Sequence, residues 1–132
     1  MVSILFENPK NDNNVSAIAR TAEFYGVEYY ISRESKLNNK QSSGVIKHKQ
    51  PKILNINDWK GRIIVTDSSF ETNPKQFVFK DDDLIVFGNE NTGVSTDAIK
   101  LSFAKIGIKS NGIVPCLNVA ASVASILGII KG

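Results

Sequence analysis

Five short apolar runs set the tightest limit on what this chain can fold into: Val2–Phe6 (VSILF), Val27–Ile31 (VEYYI), Ile63–Thr66 (IIVT), Leu84–Phe87 (LIVF) and Ala104–Ile108 (AKIGI). They have strand length, and several are β-branched and nearly continuous rather than alternating. That pattern belongs to strands buried on both faces, as in a parallel sheet covered by helices. The intervals between them carry helical spacing. Ile18, Ala22 and Tyr25 recur at i, i+4 and i+7 within an expected helix from Val15 to Tyr25. Asp12, Asn13 and Asn14 are available as N-caps, and Gly26 stands where a C-terminal cap is needed. A short helix is expected over Thr96–Ser102 after a Ser95 cap, and weaker helical potential lies around Ser42–Lys49. The last helix, from about Leu117 to Ile130, puts Val119, Val123, Ile126, Leu127 and Ile130 on one face. The first strand, helix and strand read as a βαβ unit, and the fold class is α/β. At 132 residues, with no internal repeat or linker, a single domain over 1–132 is expected.

Composition removes several classes of protein. Hydrophobic residues at 42% and charged residues at 22% describe an ordinary globular chain. One cysteine and one histidine exclude a disulfide framework and argue against a Cys/His metal site, so no metal is expected. The N-terminal MVSILFENPK has too short an apolar run for a signal peptide, and Leu117–Ile130 is too short and too polar to span a bilayer. A cytoplasmic protein in a reducing compartment, away from membranes, is the expectation. The net charge of +3 conceals an asymmetry. Arg33–Arg62 holds eight basic residues against Glu34 and Asp58, a local +6, in loop-like sequence that leaves the cations open to phosphates. Such a run also suits a merely solvated surface, and by itself only leans towards nucleic acid.

Glycine placement decides against the familiar nucleotide folds. No two glycines are separated by a single residue, so the dinucleotide fingerprint G-x-G-x-x-G is missing, as is a G-x-x-x-x-G-K-[ST] phosphate loop. His48, in the basic stretch, has no nucleophile elbow near it. Three polar segments remain. NVSAIAR (Asn14–Arg20) opens the first helix, and Arg20 taken alone is also what a surface ion pair would use. IVFGNENTGVS (Ile85–Ser95) is a buried strand breaking into a turn whose Gly88 and Gly93 permit backbone approaches that a side chain would block. A plain turn with Glu90 capping the next helix is the simpler reading. IKSNGIVPCLNVAAS (Ile108–Ser122) runs from a strand through a long turn into the last helix, where Asn118 is placed to satisfy open backbone groups.

In this order and spacing the three segments resemble the motifs of the SpoU/TrmH-type RNA 2′-O-methyltransferases of the SPOUT class. NVSAIARTAEFYGV looks like the first motif, FGNENTG like the second and Gly112–Ser122 like the third, and SSGVIKHKQ is similar to the segment after the family's second strand. The resemblance covers nearly the whole chain and implies a minimal domain without RNA-binding extensions. It also implies a mainly parallel sheet flanked by helices with a deep C-terminal trefoil knot, an exception to the usual threading rule. S-adenosylmethionine as cofactor, a homodimer whose second subunit completes the site, and an RNA substrate follow from the same resemblance, with tRNA ahead of rRNA. A non-catalytic RNA-binding SPOUT domain is the alternative. By position, the cofactor pocket would involve Thr66, Gly88, Ile108, Cys116 and Leu117, while Asn14, Arg20, Glu90 and Asn118 match the active-site positions. The third motif departs from the family pattern: Lys109 and Ser110 replace Pro-Met, and Cys116 replaces a serine, exchanging a hydroxyl for a weaker hydrogen-bonding thiol.

The family implicates its arginine in activating the ribose hydroxyl. An arginine that stays charged is a poor general base, so Arg20 is read as gripping the adjacent phosphate and polarising the 2′-hydroxyl. Glu90 is read as an orienter of loops or of Arg20, and Asn118 as holding the turn or the nucleotide. Lys47, Lys49 and Lys52 are assigned to RNA binding through phosphate steering. Neutralising any of these three lysines is expected to raise the apparent KM for RNA and flatten its salt dependence, as titration of activity against ionic strength will show.

Overall fold

A computed structural model describes residues 1–32 and 51–131 of the chain. The expected helical turn over Ser42–Lys49 therefore lies outside the described residues, as do Lys47 and Lys49. Six parallel strands form one sheet in the order β3-β2-β1-β5-β4-β6, built from β1 Ser3–Phe6, β2 Glu28–Ile31, β3 Lys52–Ile53, β4 Ile63–Thr66, β5 Leu84–Phe87 and β6 Ala104–Ile106. Among the described residues three helices cover it: α1 Asp12–Tyr25, α2 Thr96–Leu101 and α3 Val119–Lys131. β1 lies at the centre, with Ser3 beside both Glu28 and Leu84, and Phe6 beside both Ile31 and Phe87.

The apolar runs are continuous because each strand supplies two cores. Ile4, Phe6, Ile64, Ile85 and Phe87 face α1 and α3, joining Ile18, Ala22, Val123, Ile126 and Leu127. Leu5, Ile63, Val65, Leu84 and Val86 face the other way, against Ala98 of α2. The period of two is present in the structure and hidden in the sequence, since both faces need apolar side chains.

Three boundaries differ from expectation, each because of a specific hydrogen bond. α1 starts three residues early, because Asn11 is its N-cap and accepts from the Asn13 N–H through Oδ1 at 2.8 Å. Gly26 closes it in the left-handed conformation. β6 stops at Ile106 rather than Ile108: the Gly107 N–H turns to the Thr72 carbonyl, and a β-carbon there would sit 2.4 Å from the Phe70 oxygen. The last helix begins at Val119, after Asn118 has turned its side chain onto the Ala120 N–H. The two-residue edge strand β3 had no sequence signal at all.

At the N-terminal edge of the sheet, Arg62 makes a two-pronged pair with buried Asp83, Nε to Oδ1 at 2.7 Å and Nη2 to Oδ2 at 2.6 Å. Its guanidinium also lies over the rings of Phe77 and Phe103. A point charge cannot reproduce this fork, and removing the cation strands a buried carboxylate. Arg62→Ala is expected to lower Tm by on the order of 10 °C, with Arg62→Lys intermediate, by calorimetry. Amide shifts at the opposite edge of the sheet should stay unchanged.

Candidate functional site

The C-terminal ends of parallel strands form a crevice where connections leave to opposite faces, and ligands of open α/β sheets bind there. In this chain that edge holds a cavity of about 1190 Å³. Asn14, Thr66, Gly88, Glu90, Ile108, Cys116, Leu117 and Asn118 all line it, so residues from all three sequence segments meet in one place. Among the described residues the cavity wall carries Asp12, Asp67 and Glu90 against a single cation, Lys10. It is therefore suited to a ligand with positive charge.

Glu90 ties the segments together. Its carboxylate accepts from the Lys10 N–H at 3.1 Å, the Asn11 N–H at 2.8 Å and the Asn14 amide Nδ2 at 3.1 Å. The Asn14 oxygen in turn accepts from Asn118 Nδ2 at 3.3 Å, and Asn118 Oδ1 takes the Ala120 N–H at 2.8 Å. Glu90 thus serves the start of α1, as an orienter of loops, and not the following helix that the plain-turn alternative would have it cap. Ser95 caps α2 as its position in the sequence leads one to expect, accepting from the Ala98 N–H. Burial alone would raise the Glu90 pKa. The hydrogen bonds from Asn14, its own backbone, Lys10 and Asn11 outweigh that and hold it below the ordinary carboxylate value. A carboxylate so occupied is a weak base and an orienting group.

The turn after β5 closes on itself. Asn89 and Gly93 exchange both backbone hydrogen bonds, and Asn89 Oδ1 accepts from the Asn91 and Thr92 N–H groups. A β-carbon at Gly88 would fall 2.1 Å from backbone atoms of Gly93 and Val94, so even alanine forces the turn apart. Thr66 differs from a simple binding residue. Its hydroxyl donates to the Val86 carbonyl at 2.9 Å, leaving backbone and methyl for the cavity.

Sequence reasoning missed the turn after β4. Asp67 lines the cavity, with Oδ2 accepting from the Ser69 hydroxyl at 2.6 Å and Oδ1 facing Gly93. The signal was available as TDSS directly after a buried strand. Of the third-motif departures, only Cys116 lines the cavity. Lys109 pairs with Glu71 at 3.5 Å, and the Ser110 hydroxyl bonds within its own turn.

Two expected groups are placed elsewhere. Arg20 is exposed on α1 and does not line the cavity of its own chain. Lys52 is on the edge strand β3, 3.7 Å from Glu28. Among the described residues no helix is long and apolar enough to cross a membrane.

A parallel α/β domain with an acid-lined cavity over its strand ends, walled by a glycine turn and the starts of two helices, is a ligand-binding domain of the open-sheet class. The chain belongs to the SpoU rRNA Methylase family, whose model matches residues 1–128. It is 29% identical to the tRNA (guanosine(18)-2′-O)-methyltransferase of Aquifex aeolicus (strain VF5), over 94% of this chain and 65% of that protein. The crystal structure of the A. aeolicus TrmH/SpoU tRNA modifying enzyme superposes with a TM-score of 0.85 at 27% identity, covering 98% of this chain and 73% of that one. The SpoU methyltransferase AviRb from Streptomyces viridochromogenes, solved in complex with the cofactor AdoMet, has the same fold, with a TM-score of 0.84 at 21% identity over 98% of this chain and 56% of AviRb. The chain thus spans less than two thirds of the length of the curated relative it matches.

Because the folded-state pKa of Glu90 lies below its unfolded value, the stability it contributes is complete above the ordinary carboxylate range near pH ~4.3 and is lost as pH falls through the depressed value. Glu90→Gln is expected to lower Tm at neutral pH and to flatten the acid side of the Tm profile. Thermal denaturation between neutral pH and strongly acidic buffer measures both.

Proposed function

We propose that the chain is an S-adenosylmethionine-dependent RNA 2′-O-ribose methyltransferase acting on tRNA, with rRNA as second choice. The observation that carries this reading is the convergence of the three family-like segments on one cavity, whose described residues include more carboxylates than cations. When bound, S-adenosylmethionine supplies a methyl group already activated by a sulfonium charge, which an acid-lined wall favours electrostatically and for which no metal is required. Backbone groups of Gly88, Ile108 and Leu117 and the open oxygen of Asp67 would hold it. The name of the Aquifex relative supports tRNA.

The chain's own residues position the nucleophile. Asn14 and Asn118 have fixed amide orientations through Glu90, so the cavity mouth presents a preorganised polar edge to a nucleotide. Arg20 lies outside that edge, on an exposed stripe of α1 with Ala17 and Phe24, the last 79% exposed. Alongside it α3 exposes the small residues Ala121, Ala124 and Ser125. This reading makes that face the homodimer contact and sends Arg20 into the partner's cavity, where it grips the phosphate and polarises the 2′-hydroxyl; the proton leaves through phosphate or water. The reading also includes the deep trefoil knot, supported by the gathering of the Thr66, Gly88 and Ile108–Leu117 loops around one cavity. A cytoplasmic location fits an RNA substrate.

Labelled methyl groups from S-adenosylmethionine should enter tRNA from a strain lacking the protein, and the cofactor should protect the exposed Cys116 thiol from alkylation. Absence of both would overturn the assignment. Arg20→Ala is expected to lower kcat by about a hundredfold with cofactor affinity unchanged, and Arg20→Lys to recover little. Mixing Arg20→Ala with the cavity variant Gly88→Val should restore activity in the hybrid dimer, which pairs one intact cavity with one intact Arg20. Failure to restore it, with hybrids shown to form, would place Arg20 in its own chain's site.

A further inference from the structure

Glu7 is the residue the sequence reading passed over. It follows β1 directly, is only 5% exposed, and forms no ion pair among the described residues. Both of its oxygens accept from a single residue: the Ser95 N–H reaches Oε1 at 2.7 Å and the Ser95 hydroxyl reaches Oε2 at 2.7 Å. The Ser95 hydroxyl oxygen accepts from the Ala98 N–H at 3.0 Å, so its own proton is the one given to Glu7. On its other side, the Glu7 N–H donates to the Phe87 carbonyl at 2.8 Å.

Phe87 is the last residue before the Gly88–Val94 turn, and Ser95 is the first after it. One residue therefore holds both ends of the turn, 88 positions away in sequence from the far end. The adjoining chain continues the grip, since the Asn8 carbonyl accepts from Asn89 Nδ2 at 2.6 Å and Lys10 and Asn11 bind Glu90. A buried carboxylate without a cation is costly, and a neutral amide would supply one acceptor at lower cost. Two charge-assisted acceptors on one serine are justified where the position of that serine must be held closely. The turn tolerates little displacement, because Gly88 already lies against the Gly93–Val94 backbone.

We propose that Glu7 is a positioning residue for cofactor binding: by clamping Phe87 and Ser95 it sets the spacing of the Gly88–Val94 turn that forms one wall of the cavity. This rests on the reading of the cavity as an S-adenosylmethionine site. Glu7 does not line the cavity, so it acts through the turn and not by contact. RNA affinity is assigned to Lys47, Lys49 and Lys52, none of which belongs to the Gly88–Val94 turn.

Calorimetric titration with S-adenosylmethionine and with S-adenosylhomocysteine, beside filter binding of tRNA, tests the inference. Glu7→Gln is expected to raise both cofactor Kd values by on the order of tenfold, through loss of one acceptor, with tRNA Kd unchanged. Ser95→Ala should weaken cofactor binding similarly, Ser95→Thr should restore it, and the double variant Glu7→Gln/Ser95→Ala should add little to either single change. Should Glu7→Gln fail to fold, the Ser95→Ala and Ser95→Thr pair decides. Cofactor Kd within twofold of wild type in Glu7→Gln, or equal cofactor Kd in Ser95→Ala and Ser95→Thr, overturns the clamp. So does a parallel loss of tRNA and cofactor affinity, the mark of a merely structural role. If the wild-type protein binds neither cofactor form, the cofactor reading itself fails, a result distinct from those.

Discussion

The Glu90 carboxylate is bound by donors from residues 10, 11 and 14, about eighty positions earlier in the chain. Through Asn14 it reaches Asn118, more than a hundred positions from Asn14. Without that line of hydrogen bonds the starts of α1 and α3 would present open N–H groups to the cavity, and the turn after β5 would have no fixed relation to either helix. It is a partly buried network in which the side chains of Glu90, Asn14 and Asn118 are all engaged, so that one arrangement of the three is favoured. The depressed Glu90 pKa is the thermodynamic trace of the same geometry.

This network can form only because the sheet delivers its loops to one edge. All strands run parallel, so every strand-to-helix connection leaves at the C-terminal side, and burial on both faces leaves that edge as the open surface. The opposite edge is closed by Arg62, Asp83 and two aromatic rings. Stability and ligand chemistry are thus separated along the strand axis. The Glu7 clamp sits at their junction, where β1 ends and the functional turn begins.

Much of this was legible locally. The runs LIVF and IIVT become strands at the expected positions, and the stripe of Val123, Ile126 and Leu127 is buried as its spacing requires. Gly88 stands where a side chain would block a close approach, and the backbone of Gly93 and Val94 occupies that space. Other features depended on partners distant in sequence. Local spacing permits Glu90 either to cap the next helix or to orient other loops, and only its donors from the β1–α1 connection and the start of α1 decide for the second. The AKIGI run has strand character through Ile108, but Gly107 is diverted by Thr72 and Phe70, which no local pattern announces. Asp67 and Glu7 went unnoticed because a single acidic residue after a strand has no periodicity to mark it.

By itself, the sequence determined the class of fold, the five longer strands, the three described helices and the three polar segments that would matter, since hydrophobic period and turn chemistry act over a few residues. The tertiary structure decided which acids meet which amides, that the Thr66 hydroxyl is spent on Val86, and that Arg20 stands outside its own cavity. Those outcomes depend on the three-dimensional packing of α1 and α3 on one sheet face. Hydrogen bonds form by distance in space, and a distance between residues 7 and 95, or 14 and 118, exists only once the chain has closed on itself.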